Sequence, residues 1–319
     1  MPSISRIGSL LILAICSSLI ISGCRRTEII PAPTLPPPTL TPTPFSTPLP
    51  TVEPQATFGG EARPYQMVFM PPKNSTNDGE DLQTYLNDNS GFTFSVQRAA
   101  SGAEALAALC GDVPTLALVD GWTLLAAQAQ GCGRPLLSYV RGRGNTAATG
   151  YRSDLIITGT SEASGPAGLK GLIFCRLNAE DLQTWILPTL LMRTATDFDP
   201  VLDLSSVRNV PTLDALVKEV ADKRCAGAIP GGTMLDYTAA ENGAVKVLMS
   251  SPELPYGGLV ASVAMPVSAA NNLSELLLRN TDELRGLMDA DSLKAVDPAV
   301  VQNMLRFMQQ AKFDLSGVH

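Results

Sequence analysis

The sequence predicts a two-lobed α/β fold, in which each lobe is a mainly parallel sheet flanked by helices. Strand-like and helix-like patterns alternate along the chain from residue 64 onward, which is typical of parallel sheets. A second alternating unit begins near residue 151, and the strand-like segments 151–159 and 259–266 stand where the chain would cross between the two units. A single α/β domain with an irregular insertion is the alternative.

The first 23 residues have the pattern of an export signal. Arg6 supplies its positive charge, and the apolar run 10–21 is too short to span a membrane comfortably. The run ends in Ser22-Gly23-Cys24, and small residues before a cysteine resemble a bacterial lipobox, in which cleavage leaves Cys24 as a lipidated N-terminus. We therefore expect a lipid anchor on the outer face of the bacterial cytoplasmic membrane, with an ordinary signal peptide or a weak membrane anchor as the alternative.

A proline-rich tether is predicted over residues 24–62. Its central part, 31–54, has ten prolines, six threonines and one charged residue, Glu53. Such a composition favours extended polyproline II geometry and does not pack a core. At roughly 3.1 Å per residue, this segment would hold a folded domain several tens of Å away from the membrane.

The charge of the chain gives no support for a nucleic-acid partner. The sequence has 23 basic and 30 acidic residues, and removing the signal with its single Arg6 leaves 22 against 30, a net charge of −8. No basic run occurs in the sequence, and nucleic-acid binding depends on clustered positive charge.

Six cysteines reduce to four once Cys16 and Cys24 are assigned to the signal. An even number of cysteines in an exported domain predicts disulfides. Three pairings are possible, and bridges between neighbours in sequence are the first expectation. Cys110 and Cys132 each close a predicted helix, which would bring both to the same end of a parallel sheet. No metal or cofactor is expected, because the chain has no CxxC pair and its one histidine, His319, is the last residue.

The predicted first lobe takes residues 63–150 and 260–319. Its strands are predicted over 66–71, 93–99, 115–120 and 135–142, and its first helices over 78–88, 102–110 and 122–130. Ser101 is the predicted N-cap of the second of these helices. Two helical stretches, 272–295 and 298–312, end the chain, and we expect the apolar stripe of the last one to cover the first sheet.

The predicted second lobe takes residues 151–259. Its strands are predicted over 151–159, 172–175, part of 201–210, 226–232 and 245–251, and its helices over 181–194, 212–223 and 234–240. The first of these helices carries Pro188 in its interior, where a kink is expected. A cleft between two such lobes is the default ligand site, and a hinge motion about the crossing segments would close it.

Six sequence stretches, in this order, resemble the phosphate/phosphonate-binding family of ABC-transporter substrate-binding proteins, which have the type II periplasmic-binding fold. They are QMVFMPP (66–72), LQTYL (82–86), SGAEALAALCGDVPTLALV (101–119), GYRSDLIIT (150–158), GLKGLIF (168–174) and DALVKEVADKRCAGA (214–228). The resemblance covers residues 64 to 270. It implies an importer component with a small-molecule ligand and an ABC permease as partner. Some similar proteins also have the two later cysteines, so it further implies a Cys175–Cys225 bridge, although a strand end and a strand start are an unusual pair.

Three departures from the family pattern weaken the inference of its usual ligand. After the strand at 172–175, the family has a turn rich in serine and threonine that suits an oxyanion. Here the turn is Glu180-Asp181-Leu182-Gln183-Thr184, and only Thr184 has a hydroxyl. The family's proline and tyrosine after the third strand fall at Gly121 and Leu124, and its histidine falls at Leu213. We therefore expect the family's fold with a ligand that is not a phosphonate.

Polar and aromatic residues at the predicted cleft edge are the candidate ligand contacts. They are Ser75, Thr76, Asp120, Trp122, Tyr151, Arg152, Asn178, Asp181, Thr184, Asp236 and Tyr256. Asp120 with Trp122 could hold a cationic or ring-bearing ligand. Capping a helix or closing a loop is the alternative role for each residue of this set.

An enzyme is not expected. With His319 as the sole histidine, no Ser-His-Asp or Cys-His arrangement is available, and the glycines of 142–150 have neither GxGxxG nor GK[ST] spacing. The sequence therefore predicts a lipid-anchored, extracytoplasmic solute-binding protein of an ABC importer. The alternative is a sensory or scaffold protein that kept the fold and lost the transport ligand.

Overall fold

The computed structural model describes residues 57–195, 198–284 and 286–317. The predicted signal peptide, Cys24, the proline-rich part of the tether and His319 lie outside these residues. Within the described ranges, no helix combines the length and the apolar character needed to cross a bilayer.

Thirteen strands are numbered in chain order in the described part of the chain. They are β1 (Tyr65–Phe69), β2 (Phe94–Arg98), β3 (Thr115–Asp120), β4 (Gly133–Val140), β5 (Gly150–Tyr151), β6 (Ser153–Thr158), β7 (Ile173–Arg176), β8 (Ser206–Asn209), β9 (Ala226–Pro230), β10 (Val245–Ser250), β11 (Leu254–Pro255), β12 (Gly257–Ser262) and β13 (Ser292–Ala295).

Nine α-helices are numbered in the same way. They are α1 (Glu80–Asn89), α2 (Gly102–Leu109), α3 (Gly121–Ala129), α4 (Leu187–Arg193), α5 (Pro200–Asp203), α6 (Leu213–Ala221), α7 (Thr238–Glu241), α8 (Val267–Arg279) and α9 (Pro298–Gln310). A π-helical turn covers Leu182–Ile186, and short 3₁₀ turns cover Gly144–Thr146, Pro166–Leu169, Met234–Asp236, Thr281–Leu284 and Leu315–Gly317.

The first sheet is mixed but mainly parallel. Its strand order is β13-β4-β12-β3-β1-β2, with β1 parallel to both β2 and β3. Strand β12 runs antiparallel to β3 and to β4, so β4 has the same direction as β3, and only β12 and β13 oppose the other four strands. The carboxyl ends of β1 to β4 therefore lie at one edge of this sheet.

The second sheet has the same arrangement with one strand fewer. Its order is β10-β6-β9-β7-β8, in which β7 is parallel to β8 and β9. Strand β6 runs antiparallel to β9 and to β10, so four of the five strands point the same way. The predicted pair of mainly parallel sheets flanked by helices is confirmed.

The chain passes between the sheets through two very short strands. Strands β5 and β11 pair antiparallel in a sheet of their own, with Leu254 opposite Tyr151 and Pro255 opposite Gly150. Strand β6 then enters the second sheet, and β12 enters the first. The predicted crossing segments 151–159 and 259–266 thus adjoin the actual crossing point, which lies at their N-terminal side.

Each lobe has one disulfide of its own. Cys110–Cys132 joins the ends of α2 and α3, with the Cα atoms 4.9 Å apart. Cys175–Cys225 joins neighbouring parallel strands, with the Cα atoms 5.9 Å apart. Because Cys175 pairs with Gly227 in the ladder, Cys225 lies only two residues from that position, and a bridge between the middle of β7 and the start of β9 is within reach.

One prediction for the end of the chain is wrong. The helix predicted over 272–295 ends at Arg279, because Ser292–Ala295 pairs with β4 as an edge strand instead. The last helix, α9, packs against α3, α4 and β11, so it contacts helices of both lobes, and its apolar face belongs to the apolar cluster that includes Val68 and Val119 of the first sheet. Its buried face holds Val301, Met304, Phe307 and Met308.

Candidate functional site

The turn between β7 and the following helix is closed by its own aspartate. Asp181 is the N-cap, and its Oδ1 accepts hydrogen bonds from the backbone N–H groups of Gln183 (3.1 Å) and Thr184 (2.7 Å) and from Thr184 Oγ1 (2.8 Å). The Thr184 hydroxyl is buried and also accepts from the Leu177 N–H at 3.1 Å. The donors with which such a turn would bind an anion are therefore already in use.

Pro188 accounts for the irregular start of the helix after this turn. In the π-helical turn, the Leu187 N–H donates to the Leu182 carbonyl, five residues back. The Gln183 carbonyl would accept from residue 188 in the same register, but proline has no N–H. The Ser153 hydroxyl of β6 donates to the Gln183 carbonyl instead, at 2.5 Å. Where a kink at Pro188 was predicted, the structure thus has a transition from a π-helical turn to an α-helix.

Asn178, Arg152 and Asp236 are further candidates in the second lobe. Asn178 Oδ1 accepts from the Glu180 N–H at 2.9 Å and closes the turn locally. The Arg152 side chain is exposed, and its carbonyl accepts from Gln183 Nε2 at 2.8 Å and from the Gly231 N–H at 2.9 Å. Asp236 is exposed on the 3₁₀ turn after β9. Asn178, Asp181 and Thr184 therefore share one turn, whereas Asp236 lies on a separate loop.

Arg141, Tyr151, Tyr256 and Asp289 form a connected polar group at the crossing, which we call the hinge cluster. Arg141 Nη1 donates to Tyr151 Oη at 2.6 Å, and Nη2 forms an ion pair with Asp289 at 2.8 Å. The Arg141 guanidinium carbon lies 4.4 Å from the centre of the Tyr256 ring, and the two tyrosine rings meet edge to face at 4.6 Å. Tyr151 is in β5 and Tyr256 follows β11, so the cluster ties together the two crossing segments.

Asp120 and Trp122 both have structural roles. Asp120 Oδ1 accepts from the Thr123 N–H at 2.8 Å and caps α3. The half-buried Trp122 ring packs on Phe313 near the end of the chain, with the ring centres 5.5 Å apart. The capping alternative is thus realised for Asp120, and Trp122 contributes to packing.

Gly121 explains one of the departures from the family pattern. A Cβ at this position would lie 1.8 Å from the Pro255 carbonyl oxygen of the crossing strand β11. The Gly121 N–H also donates to the Tyr256 carbonyl at 3.1 Å. Proline could neither fit at residue 121 nor donate this hydrogen bond, so the close approach of α3 to the crossing requires glycine here.

Ser75 and Thr76 lie in the loop after β1. The Ser75 hydroxyl donates to the Gly286 carbonyl at 2.7 Å and so holds this loop against a distant part of the first lobe. Thr76 is exposed. Of the predicted contacts, the structure therefore brings together Tyr151 with Tyr256 and Asp181 with Thr184, whereas Ser75 and Thr76 lie in a loop of the first lobe.

The sequence reasoning missed Arg141 and Tyr139. Both lie at the carboxyl end of β4, at the same edge as Asp120, so the rule that ligands bind at that edge could have found them. Tyr139 is 4% exposed, and its hydroxyl has no hydrogen-bond partner among the described residues. Burial, followed by the charges of Asp120 and Asp289, raises the pKa of Tyr139, while Arg141 lowers it.

We expect Tyr139→Phe to be neutral or to stabilise the protein by up to about 1–2 kcal/mol, because it removes a buried hydroxyl that lacks a partner. The tyrosine pKa is higher in the folded than in the unfolded state, so its contribution to stability is full below pH of about 10 and falls as the pH rises further. Between pH 8 and pH 10.5, the variant should therefore lose less stability than the wild type. Urea unfolding at both pH values measures this, and a destabilised variant would reveal an unseen hydrogen bond.

We expect Asp181→Ala to lower the free energy of unfolding by about 1–2 kcal/mol, because two backbone N–H groups and the buried Thr184 hydroxyl lose their acceptor. Asp181→Asn is the matched control, since asparagine keeps the oxygen acceptor and caps helices about as well. Urea unfolding of both variants measures the difference. Equal losses for alanine and asparagine would contradict the capping role.

No group of three or more His, Cys, Asp or Glu side chains that could hold a metal ion occurs within the described residues.

Comparisons with known proteins give one family match and a set of similar solved structures. A family model described as "ABC transporter, phosphonate, periplasmic substrate-binding protein" matches residues 68–304. No curated protein sequence matches the chain. Similar solved structures include a binding protein component of an ABC phosphonate transporter from Pseudomonas aeruginosa (17% identity, 78% of this chain and 86% of that chain, TM-score 0.42).

Two further structures cover 78% of this chain and 98% of their own. One is a Xanthomonas citri protein bound to ATP (14% identity, TM-score 0.48), and the other is PhnD1 from Prochlorococcus marinus in complex with methylphosphonate (12% identity, TM-score 0.40). The family model spans most of the chain, and the two mixed sheets joined by crossing strands are the type II periplasmic-binding fold. The chain therefore belongs to the phosphonate family of periplasmic substrate-binding proteins of ABC transporters.

Proposed function

We propose that this protein is the lipid-anchored solute-binding component of an ABC importer and that its cleft takes a small molecule other than a phosphonate. Membership of the family supports the substrate-binding role, the ABC permease as partner and an extracytoplasmic location. The family consists of transport components and not of enzymes. The lipid anchor and the choice of ligand are the finer parts of the proposal.

The acceptor role of Asp181 carries the proposal about the ligand. At the turn where the family pattern has hydroxyls for an anion, one carboxylate oxygen takes both the Gln183 and Thr184 N–H groups and the Thr184 hydroxyl. A bound phosphonate would have to displace this carboxylate from all three donors. It would also face the negative charge of Asp181 and that of the neighbouring Glu180.

Electrostatic repulsion strengthens this argument. Two like unit charges 4 Å apart near a protein surface repel by about 4 kcal/mol at an effective dielectric constant of about 20. Such a repulsion would weaken binding by roughly a thousandfold. Asn178 also bonds within the turn, and Arg176 at the end of β7 donates through Nε to Asn209 Oδ1 at 3.0 Å and lies over the Trp185 ring.

The proposed ligand therefore binds through residues other than those of the turn at Asp181. In this proposal the ligand contacts the hinge cluster, Asp120 and the exposed Arg152 and Asp236, whose side chains have aromatic faces and charges of both signs. These contacts suit a cationic or ring-bearing molecule better than a phosphonate dianion.

A ligand screen by thermal shift tests the proposal. The purified protein is heated with phosphonates, phosphate, metal cations, amines or vitamins, and we expect a shift with a compound that is not a phosphonate. A ligand present at 100 times its Kd adds about 2.7 kcal/mol of stability and so gives a clear shift. Shifts confined to phosphonates would overturn the proposal.

The sensory or scaffold role is the second candidate, and one observation favours it. A single apolar cluster runs through both lobes, from Val68 and Val119 to Leu155 and Leu187, so the lobes are already packed together. A scaffold of this kind would show no shift with any compound in the screen. It would also keep its small-angle scattering profile when the whole set of compounds is added, whereas a transport protein would become more compact with its ligand.

Replacing Cys24 tests the proposed anchor. We expect the wild-type protein in the membrane fraction of a bacterial host and Cys24→Ser in the soluble or secreted fraction, because serine cannot carry the thioether-linked lipid. Cys16→Ser is the matched control and should stay with the membrane. Equal fractionation of wild type and Cys24→Ser would contradict a lipid anchor at this residue.

A further inference from the structure

Four exposed apolar side chains gather at one edge of the second lobe, and we call them the β8 patch. They are Leu172, Val201, Leu202 and Val207. Val201 and Leu202 are 72% and 81% exposed on α5, so a partner that covers them would remove most of their apolar surface from water. Apolar side chains that are grouped on a surface in this way mark an interaction site.

Hydrogen bonds and strand register bring the members of the patch together. The Ser205 N–H, just after α5, donates to the Leu172 carbonyl at 2.9 Å. Val207 is paired with Phe174 in the ladder, and Leu172 is two residues before Phe174, so Leu172 and Val207 lie on the same face of the sheet. The patch therefore lies around the start of β7 and β8, whereas the turn at Asp181 and the cleft lie where β7 ends.

The strand β8 is an edge strand whose outer side is open. It pairs only with β7, and all four of its residues are exposed. The edge strand β2 of the first sheet is different, because side chains of α1 accept from two of its backbone N–H groups. Phe94 donates to Asn87 Oδ1 at 2.7 Å, and Val96 donates to Gln83 Oε1 at 2.9 Å. Within the described residues, no side chain bonds to the backbone of β8 in this way, so a further strand can be added there.

We infer that the β8 patch binds the same patch on a second copy of this chain, about a twofold axis. In this dimer, β8 pairs antiparallel with its copy, and the two five-stranded sheets join into one. Val207 lies opposite the partner's Val207, since a register with Arg208 opposite itself would place like charges together. The surface is on the second lobe alone, so the inference goes beyond the proposed function and does not depend on it.

The charges beside the patch favour a second copy over a partner of one sign. Arg193, Asp199 and Asp203 line one cavity next to α5, and Asp203 also forms an ion pair with Lys170 at 3.1 Å. Arg193 and Asp199 are exposed, and Arg193 has no ion pair with another described residue. In a twofold arrangement, Arg193 can therefore meet the partner's Asp199. An anionic membrane would instead be repelled by the two carboxylates.

The size of the patch sets the expected strength of the dimer. Four side chains and one short strand bury less than about 1,200 Å² in total, which is typical of weak and reversible association. We therefore expect a Kd of about 10–100 μM in solution.

Sedimentation equilibrium of the purified protein tests the inference. We expect a monomer–dimer equilibrium that Leu202→Asp weakens at least tenfold, because the dimer would bury the new carboxylate. Leu235→Asp is the matched control, since Leu235 is 84% exposed on the 3₁₀ turn after β9, outside the patch, and it should leave the Kd unchanged. A protein that stays monomeric at about 0.5 mM, or a dimer that Leu202→Asp leaves intact, would overturn the inference.

Oxidation of Val207→Cys tests the position of the axis. Opposed Cα atoms in antiparallel strands are about 4.5–5.5 Å apart, which is within the range of a disulfide. We expect a covalent dimer of Val207→Cys and none of Leu235→Cys, which has the same native cysteines. Equal cross-linking of the two variants would overturn the inference. Monomers that bind vesicles of anionic lipid through the patch, and lose this binding in Leu202→Asp, would also overturn it and assign the patch to a lipid surface.

Discussion

The double variant Cys175→Ala/Cys225→Ala should be about 4 kcal/mol less stable than the wild type. In the chain-entropy model, a bridge across a sequence separation of 50 restricts the unfolded chain by roughly this amount. Cys175 is fully buried and Cys225 nearly so, and alanine at both positions avoids leaving polar groups in the core. Urea unfolding under oxidising conditions measures the loss.

The second bridge provides the matched comparison. Cys110→Ala/Cys132→Ala opens a separation of only 22 residues, and Cys110 is exposed, so the expected loss is smaller, about 3 kcal/mol. Adding a reductant should lower the stability of the wild type and leave a variant that lacks all four cysteines unchanged. A wild type that is equally stable with and without the reductant would show that the bridges do not form.

Phe174→Ala should cost about 3–5 kcal/mol, the usual range for removing a buried phenylalanine. Phe174 is fully buried in the middle of β7, and its ring lies 5.8 Å from that of Trp185 in the helix that follows. The variant leaves a cavity beneath the turn that Asp181 closes. Urea unfolding measures the change in the free energy of unfolding.

Leu172→Ala is the control for this variant. Leu172 lies two residues earlier and is 38% exposed, so its truncation should cost less than about 1 kcal/mol. A similar loss at both positions would mean that the loss does not come from packing of the Phe174 ring in the core.

The sequence predicted most of the fold because its periodic patterns agree with the tertiary structure. It failed at Ser292–Ala295, where SLKA has no strong preference for a strand and follows helix-like residues. Pairing with β4 decides the structure of this segment, and such pairing at a sheet edge depends on a distant strand. The contact of α9 with both lobes could not be predicted, since an apolar stripe indicates a buried face but not the surface against which it packs.

The turn at Asp181 was predicted after the strand that precedes it, but its hydrogen bonds were not predicted. The turn with Asp181 lies where the resemblance put it, and its carboxylate was read as a charge that repels phosphonates. The same carboxylate also accepts hydrogen bonds from the N–H groups at the start of the helix. These hydrogen bonds depend on backbone geometry. The hinge cluster could not be derived in the same way, because Arg141 meets Tyr256 only once the chain has crossed twice between the lobes.

Titration of methylphosphonate into the purified protein tests whether the turn at Asp181 has lost its anion site. We expect no saturable heat with the wild type, which corresponds to a Kd weaker than about 1 mM. Asp181→Ser removes the charge and returns a hydroxyl to the turn, so it should bind more tightly than the wild type. Micromolar binding of methylphosphonate to the wild type, unchanged in Asp181→Ser, would contradict the proposal that this carboxylate excludes the family's usual ligand.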